Sequence, residues 1–286
     1  MALSKDKGHR IRLGILGTLS SHTDTICGYA ANDERVDLVG VFGDDYDRTN
    51  YISNKYNVPQ RSCEELLNQC DVVAIMFRDG SKHLSYAEPF IRKSIPVFID
   101  KPITISVADV DKIVTLAREY NCPILGGSSL KYSKELLSMK GDVSENSCLL
   151  SGFMSFPVYF NSPYGGFHFY SHHLIEAMLT VFGTDVKSVT SHKKESLLMV
   201  IVSYSSFQVI LNYAVDDNQW IAGFFGKNGY KMIPFSLTDA AEKQYEEIIK
   251  LATENYSAYS GDYFQKVVRI SCAIEQSFAE NCTIQI

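Results

Sequence analysis

Short apolar runs alternate with helix-length segments through the first half of the chain. The apolar runs occupy residues 11–16, 36–42, 72–77, 96–99 and 123–125. Nearly continuous apolar strands separated by helices are typical of a parallel sheet that is covered on both faces. This alternation predicts a doubly wound α/β domain in residues 1–129.

Three of the predicted helices carry start signals. Ser62 and Ser106 each precede an acidic residue three positions later, which is the spacing of a capping box. Ser81 precedes an amphipathic run at residues 83–93, so we expect a helix to begin there as well.

The second half of the chain, residues 130–286, has a different pattern. It holds 24 of the 34 Phe, Tyr and Trp residues. Its β-branched and aromatic stretches follow one another with turn-like residues between them, at residues 148–160, 196–204, 207–214 and 220–234. Consecutive strands of this kind indicate a mostly antiparallel sheet.

Turns and helices complete this second pattern. Turns are expected at residues 216–218 and 227–229. Helices are expected at residues 172–182, at 239–254 behind a Thr238 cap, and at 263–279. We therefore predict a second, α+β domain in which an open, mostly antiparallel sheet carries helices on one face.

Composition and charge bear on the partners of the chain. It has 286 residues, with 27 basic and 33 acidic side chains and a formal net charge of -6. This balance argues against nucleic acid or an anionic membrane as a partner. The polar first ten residues lack the apolar core of a signal peptide, and no later segment is apolar enough to cross a bilayer. We therefore expect a cytoplasmic protein that binds small molecules.

Ligands of an open parallel sheet bind beyond the carboxyl ends of its strands, so the loops after the first four apolar runs should line one crevice. The first of these loops begins like a dinucleotide fingerprint, with Gly14 and Gly17. Leu19 and His22 stand where the second and third glycines would be. A Leu side chain at that position could obstruct the approach of a pyrophosphate.

Other residues of these loops favour a nucleotide. Thr18, Ser20 and Ser21 could donate hydrogen bonds at the N-terminus of a helix. Asp44 ends the second strand, where a carboxylate accepts hydrogen bonds from an adenosine ribose and repels a 2′-phosphate. The sequence therefore favours NAD over NADP, and the alternative is a βαβ turn with an ordinary surface aspartate.

Motifs at two further loops resemble those of a known family. Arg78-Asp-Gly-Ser-Lys-His83 and Asp100-Lys101-Pro102 resemble the Pro-Asn-x-x-His and Glu-Lys-Pro segments of the Gfo/Idh/MocA oxidoreductases, which include glucose-fructose oxidoreductase and inositol dehydrogenase. Residues 127–132 resemble the segment that crosses into the family's second domain. The resemblance covers nearly the whole chain and implies a Rossmann domain that binds NAD, followed by a substrate domain with a short terminal strand at residues 282–286.

The resemblance implies a cofactor site and a reactive lysine. Lys101 lies between an apolar strand and Pro102, where partial burial and a nicotinamide cation would lower its pKa and let it hydrogen-bond the reacting oxygen. The residues expected to contact NAD are Gly14, Gly17, Thr18, Leu19, Ser20, Ser21, His22, Asp44, Arg78, His83, Asp100 and Lys101.

A second motif lies in the expected substrate domain. His173 matches the His of the family's Asp-x-x-x-His pattern, which is a catalytic acid or base in many members, and Glu176 matches a frequent acidic residue one turn later. Phe169 occupies the Asp position, and a Phe side chain cannot orient an imidazole. The expected catalytic residues are Lys101, His173 and Tyr170, and the expected substrate contacts are these three and Tyr164.

A metal site is an alternative use of the same segment, which contains His168, His172, His173 and Glu176. Their spacing matches no known set of ligands, and such clusters more often line a polar pocket. The seven cysteines are scattered without a Cys-x-x-Cys pair, which indicates reduced thiols rather than a zinc cluster or a disulfide framework. We therefore expect no metal.

These observations predict an NAD-dependent oxidoreductase that acts on a hydroxyl or ketone of a sugar, polyol or related small molecule. Leu19 and Phe169 keep a second interpretation open, a noncatalytic sensor or scaffold that retains the fold. A third is a hydrolase or lyase that uses tightly held NAD for transient oxidation. The resemblance also implies a homodimer or homotetramer that forms through the outer face of the antiparallel sheet, with exposed apolar side chains among residues 196–234.

Overall fold

The computed structural model describes residues 10–146, 148–215 and 220–286. Contacts divide the chain into two compact units, Met1–Gly127 with Ala241–Gln265, and Ser128–Ala240 with Lys266–Ile286. The first division falls close to the predicted boundary, but residues 241–265 cluster with the first unit rather than with the second. The predicted turn at residues 216–218 and the polar residues 1–9 lie outside the described residues.

The first unit is built on a parallel sheet. Its described strands pair in the order β2-β1-β3-β4-β5, and each neighbouring pair is parallel. Every residue of the interior strands β3 and β4 is buried, as a sheet covered on both faces requires. The predicted doubly wound arrangement is confirmed. The strands are β1 (Ile11–Leu16), β2 (Val36–Phe42), β3 (Val72–Ile75), β4 (Val97–Ile99) and β5 (Ile124–Gly126).

Helices connect these strands. They are α1 (Ser21–Ala31), α2 (Tyr46–Tyr56), α3 (Cys63–Leu67), α4 (His83–Arg92) and α5 (Val107–Glu119). Ser62 and Glu65 form the predicted capping box at the start of α3. Ser106 accepts a hydrogen bond from the N–H of Asp109 at the start of α5, so this predicted start is also confirmed.

The helix predicted over the run at residues 83–93 is confirmed as α4, His83–Arg92, but Ser81 does not cap it. Ser81 lies in a 3₁₀ turn, Gly80–Lys82, that precedes α4. Its N–H donates to Oδ1 of Asp79 at 3.0 Å, and its hydroxyl donates to the same oxygen at 2.7 Å. A carboxylate is a stronger acceptor than a hydroxyl, so Asp79 supplies the cap and Ser81 acts as a donor.

The second unit contains the mostly antiparallel sheet that the sequence predicts. Its described strands pair in the order β11-β10-β6-β9-β8-β7-β12, where β6 and β9 are parallel neighbours and the other pairs are antiparallel. The strands are β6 (Leu149–Pro157), β7 (Ser188–Lys194), β8 (Leu197–Ser203), β9 (Gln208–Ala214), β10 (Ile221–Gly226), β11 (Gly229–Pro234) and β12 (Ile284–Gln285).

The remaining helices are α6 (Lys134–Glu145), α7 (His168–Phe182), α8 (Ala240–Glu254) and α9 (Gly261–Glu280). Helix α7 begins four residues before the predicted start at residue 172. Tyr245, Ile248 and Leu251 of α8 are buried in one cluster with Ile11 and Leu13 of β1. This packing is the reason that residues 241–265 belong to the first unit. Within the described ranges, no helix is both long and apolar enough to cross a membrane.

The sequence analysis does not predict two elements of the second unit, β7 and α6. Strand β7 has the sequence Ser-Val-Thr-Ser-His-Lys-Lys, of which two residues are buried, so its composition resembles a polar loop. Helix α6 contains Gly141 and buries Leu136 and Met139, which gives a weak helical pattern. Both elements depend on tertiary packing more than on local preference.

Gly17 gives a test of the close packing between β1 and β3. Its φ is +99°, and a Cβ there would fall against the backbone of Met76 and Phe77. We expect Gly17→Ala to lower the free energy of unfolding by at least about 1 kcal/mol, because Ala is strained at positive φ. Urea unfolding followed by circular dichroism measures the effect.

Gly28, in the middle of α1, is the matched control. A Cβ there would lie 3.6 Å from the hydroxyl oxygen of Tyr56, an ordinary contact distance. Gly28→Ala should therefore raise the free energy of unfolding by about 0.5–1 kcal/mol, because Ala favours the helix. Equal effects of the two substitutions would contradict the role given to Gly17.

Candidate functional site

The loop after β1 turns sharply into α1 at the carboxyl edge of the parallel sheet. The N–H of Gly17 donates to the carbonyl oxygen of Phe42 at 2.7 Å. Ser20 is the N-cap of α1, and its Oγ accepts the N–H of His22 at 3.2 Å. Ser21 is exposed and Leu19 is partly buried. The N-terminus of α1 therefore lies at the carboxyl edge of the sheet, and the N–H groups and dipole of a helix N-terminus stabilise an anion.

Two of the predicted cofactor contacts are used for packing. Thr18 is fully buried, and its hydroxyl oxygen lies 2.9 Å from that of Thr49. Gly14 lies inside β1, where a Cβ would collide with the thiol of Cys70. Both residues hold the strand and its loop in close packing, and their contact with a cofactor stays a prediction.

His22 contacts the acidic residue that follows β4. Its Nδ1 lies 3.0 and 2.9 Å from the two carboxylate oxygens of Asp100, which is 1% exposed. Burial on its own raises the pKa of this carboxyl, but the charges of His22 and Lys101 outweigh burial and hold the pKa of Asp100 below its usual range. His22, at the third-glycine position, therefore links the loop after β1 to the loop after β4.

Lys101 follows Asp100 and is 5% exposed. Burial lowers the pKa of its ammonium group to about 8. The charge of Asp100 opposes this shift, and the charge of the partly buried Arg78 adds to it. The Lys101–Pro102 peptide bond is cis. A lysine whose pKa lies this close to neutrality can exchange a proton with a bound molecule.

Asp44 follows β2, as predicted, and forms an ion pair with Lys82 of the 3₁₀ turn before α4. The hydrogen bond from Lys82 to this carboxylate raises the pKa of Lys82. Both side chains are partly exposed. The pair places a carboxylate and an ammonium at the edge of the sheet where an adenosine ribose would be recognised.

His83 is fully buried and contacts main-chain carbonyls through both ring nitrogens. Its Nδ1 lies 3.0 Å from the oxygen of Ile103, and its Nε2 lies 2.8 Å from the oxygen of Phe77. Burial lowers the pKa of His83, although the carbonyls partly oppose this. His83 therefore ties the loop after β3 to the loop after β4, and its contact with a cofactor stays a prediction.

In the second unit, His173 and Glu176 of α7 both bind a 3₁₀ turn, Ser129–Tyr132, whose N-cap is Ser128. Nδ1 of His173 lies 2.6 Å from Oγ of Ser128. Oε1 of Glu176 accepts the N–H of Ser128 at 2.6 Å, and its Oε2 accepts from Nζ of Lys131 at 2.9 Å. Lys131 and Glu176 are both completely buried, so the network is shielded from water.

Aromatic rings surround His173. Tyr170, one turn earlier on α7, meets the imidazole edge-on with 4.9 Å between ring centroids, and the ring of Phe156 lies 5.5 Å away. Phe169 is buried, and its ring lies 5.5 Å from that of Tyr164. The position of the family's Asp is thus occupied by an apolar ring that offers no hydrogen bond.

Sequence reasoning misses Ser128 and Lys131 as members of the His173 network. The available signal is the polar pair His173 and Glu176, which shares one face of an otherwise apolar helix and so needs buried polar partners. The sequence does not indicate which segment supplies these partners, because Ser128 lies 45 residues before His173.

His168, in the same segment, has separate contacts. Nδ1 of His168 lies 2.8 Å from Oγ of Ser271, and its Nε2 lies 3.0 Å from Oε2 of Glu275 on α9. In the part of the chain that the structure describes, no group of three or more His, Cys, Asp or Glu side chains could hold a metal ion.

One family model matches residues of the first unit. Residues 11–127 match the model of a family described as an oxidoreductase family with an NAD-binding Rossmann fold, Gfo/Idh/MocA. No curated protein matches the chain significantly by sequence.

Solved structures share the fold over nearly their whole length. GenD2 from gentamicin A biosynthesis, in complex with NAD, is 12% identical, with 97% of each chain covered and a TM-score of 0.87. Scyllo-inositol dehydrogenase from Lactobacillus casei, with bound NAD(H) and scyllo-inositol, is 12% identical, with 97% of this chain and 99% of the other covered and a TM-score of 0.83. Myo-inositol dehydrogenase from Corynebacterium glutamicum is 13% identical, with the same coverage and a TM-score of 0.83.

The buried ion pair gives a prediction about stability. We expect Lys131→Met to lower the free energy of unfolding by about 3–5 kcal/mol, because it removes the cation that faces a buried carboxylate. The double variant Lys131→Met/Glu176→Gln should be more stable than this single variant, since the buried negative charge is also gone. Urea unfolding of the two proteins makes the comparison. A double variant that is less stable than the single variant would contradict the electrostatic explanation.

Proposed function

We propose that this protein is an NAD-dependent dehydrogenase of a sugar, polyol or related small molecule, because residues 11–127 match the model of an oxidoreductase family with an NAD-binding Rossmann fold. The observation that carries the proposal is Lys101, a buried lysine at the carboxyl end of β4 with a pKa of about 8. Oxidation of an alcohol requires a group that takes up the hydroxyl proton, and a lysine of this kind suits that task.

The residues at the strand ends fit NAD. The N-terminus of α1 offers main-chain N–H groups and a positive dipole end for a diphosphate, and Asp44 offers a carboxylate for ribose hydroxyls. His22 takes the place of a glycine, but its ring is held against Asp100 at 2.9 Å, which supports the proposal that it leaves room for the cofactor. When bound, NAD takes up the hydride in oxidation, and NADH returns it in reduction.

The proposal gives a separate role to each predicted catalytic or substrate-binding residue. Lys101 accepts the proton of the substrate hydroxyl during oxidation and returns it during reduction. His173 hydrogen-bonds the reacting oxygen and so polarises it. Tyr164 and Tyr170 contact the substrate.

The substrate class follows from the surroundings of His173. Aromatic rings beside a hydrogen-bonding group suit sugars and cyclic polyols, whose C–H faces pack on rings and whose hydroxyls need polar partners. Tyr170 and Phe156 supply such rings next to His173. Two proteins with this fold are named inositol dehydrogenases, which supports the same class.

The role of Lys101 predicts both a loss of turnover and a pH dependence. Lys101→Met should lower turnover by at least about 100-fold, because the proton acceptor is gone, while calorimetric titration shows NAD binding largely intact. In the wild type, the rate of alcohol oxidation should rise with pH up to about 8, because only the neutral amine accepts a proton. Lys101→Arg, which stays protonated, should lose both the turnover and this rise.

Lys93→Met is the matched control, because Lys93 is exposed and bonds the side chain of Asn68. It should leave turnover unchanged. Full turnover in Lys101→Met would remove the lysine from the mechanism. Failure of the wild type to bind NAD would refute the dehydrogenase, and tight NAD binding without turnover of any sugar or polyol would favour a noncatalytic sensor.

We also propose that copies of the chain associate through the outer face of the seven-stranded sheet, as a homodimer or homotetramer. Along β8 and β9, buried residues such as Val200 and Leu211 alternate with outward ones. Exposed apolar patches of this kind commonly mark protein interfaces. The exposed apolar side chains that share the outer face are Leu197, Met199, Ile210, Phe225, Tyr230 and Met232.

A charge in this face should break the association. Ile210 pairs with Ile201 on one side and with Phe153 on the other, so it lies near the centre of the face. We expect Ile210→Lys to convert the oligomer to a monomer, because association would bury unpaired ammonium groups. Light scattering coupled to size-exclusion chromatography measures the mass. Leu137→Lys, on the exposed side of α6, should have no effect, and a monomeric wild type would refute the interface.

A further inference from the structure

His173 has an unusual partner for a residue in this motif. Phe169 stands where the family pattern has an aspartate, and Nδ1 of His173 lies instead 2.6 Å from the hydroxyl oxygen of Ser128. Both residues are buried, with Ser128 at 0% and His173 at 2% exposure. The serine hydroxyl therefore occupies the position from which an imidazole is oriented.

The hydrogen-bond inventory of Ser128 decides the direction of this contact. A hydroxyl has one proton to donate and two lone pairs that accept. Among the described residues, the Ser128 hydroxyl has two hydrogen-bonding neighbours, the N–H of Leu130 at 3.1 Å and Nδ1 of His173. The N–H of Leu130 only donates, so it uses an accepting lone pair. The remaining neighbour is Nδ1 of His173, so the hydroxyl proton is directed at Nδ1, because a buried donor needs an acceptor.

The position of Ser128 is fixed from its main chain. Its N–H donates to Oε1 of Glu176 at 2.6 Å, and Lys131 holds the other carboxylate oxygen at 2.9 Å. Glu176 follows His173 by three residues, so both contacts to Ser128 come from one face of α7. A rigid helix and a buried ion pair together leave the hydroxyl little freedom to reorient.

We propose that Ser128 is a positioning residue that fixes the neutral Nε2–H tautomer of His173. In this tautomer, Nδ1 accepts from the serine hydroxyl and Nε2 carries the ring proton. An aspartate partner would favour the opposite state, because it accepts the Nδ1 proton, leaves the lone pair on Nε2 and stabilises the imidazolium. His173 is therefore a hydrogen-bond donor in its resting state and not a base.

This inference rests on the proposed dehydrogenase function and divides the labour within it. His173 donates from Nε2 to the reacting oxygen and polarises it, with no net transfer of its proton. Lys101 alone takes up the proton that leaves the substrate hydroxyl during oxidation and gives it back during reduction. The replacement of Asp by Phe169 thus changes the role of the histidine without removing it from the site.

The tautomer can be measured directly, without cofactor or substrate. Proton–nitrogen correlation NMR of protein labelled with ¹⁵N in its histidine rings distinguishes protonated from unprotonated ring nitrogens. The chain has seven histidines, and the signals of His173 are those that disappear in His173→Gln. We expect an unprotonated Nδ1 and a protonated Nε2 at neutral pH. A protonated Nδ1 in the wild type would overturn the proposal.

Variants of Ser128 separate positioning from a structural role. Ser128→Ala should shift both ring-nitrogen signals of His173 toward the average of exchanging tautomers. It should also lower kcat by about tenfold, with little change in KM or in NAD binding. Ser128→Thr keeps the hydroxyl and should restore the nitrogen signals and kcat. Ser129→Ala removes the neighbouring hydroxyl and is the control.

The possible failures can be told apart. Unchanged nitrogen signals in Ser128→Ala would overturn the positioning role, even if that variant were inactive. Absence of turnover in the wild type, with the expected tautomer present, would refute the dehydrogenase function and not the contact between Ser128 and His173.

Discussion

The second unit depends on a carboxylate that has been removed from water. Glu176 is completely buried, and it binds the ammonium of Lys131 and the N–H of Ser128 at the start of the unit. An ion pair of this kind offsets the loss of hydration and adds little net stability. Its effect is to select one arrangement of α7 against the 3₁₀ turn over others. A rotation of α7 by one residue would separate Glu176 from Lys131 and His173 from Ser128 together. The charge pair therefore fixes the register in which the imidazole meets its partner.

In the first unit, burial and neighbouring charges have opposing effects on the pKa values of two residues at the end of β4. Asp100 and Lys101 are adjacent and buried, yet burial prevails at one and neighbouring charge at the other. The carboxylate keeps its charge because His22 and Lys101 face it, while the lysine loses its proton more readily because burial outweighs the single carboxylate. His22 is the partner that permits this combination. His22 stands where the dinucleotide fingerprint has its third glycine, and there it stabilises the charge of Asp100.

The sequence predicts whatever a repeating pattern encodes and misses what a distant contact decides. The parallel strands are evident because both faces are buried and their residues are almost all apolar. Strand β7 could not be predicted, because its pairing with β8 and not its mostly polar sequence stabilises the extended conformation. The pattern of α8 identifies a buried face but not the sheet that covers it, so its place in the first unit was not predictable. At the site, Asp44 and Lys101 follow from their positions after strands. The contacts of His83 with two carbonyls and of Ser128 with His173 join segments that no local spacing relates.

The chain passes from one unit to the other three times, after Gly127, before Ala241 and after Gln265. Because α8 completes the core around β1, a fragment that ended at the first crossing would expose Leu13 and its neighbours to water. Each unit consists of two separate segments of the chain, so neither can be moved to another protein as one continuous fragment. A gene fusion or recombination at residue 127 would supply the first unit without part of its own interior, so the two units are expected to be inherited and to diverge together.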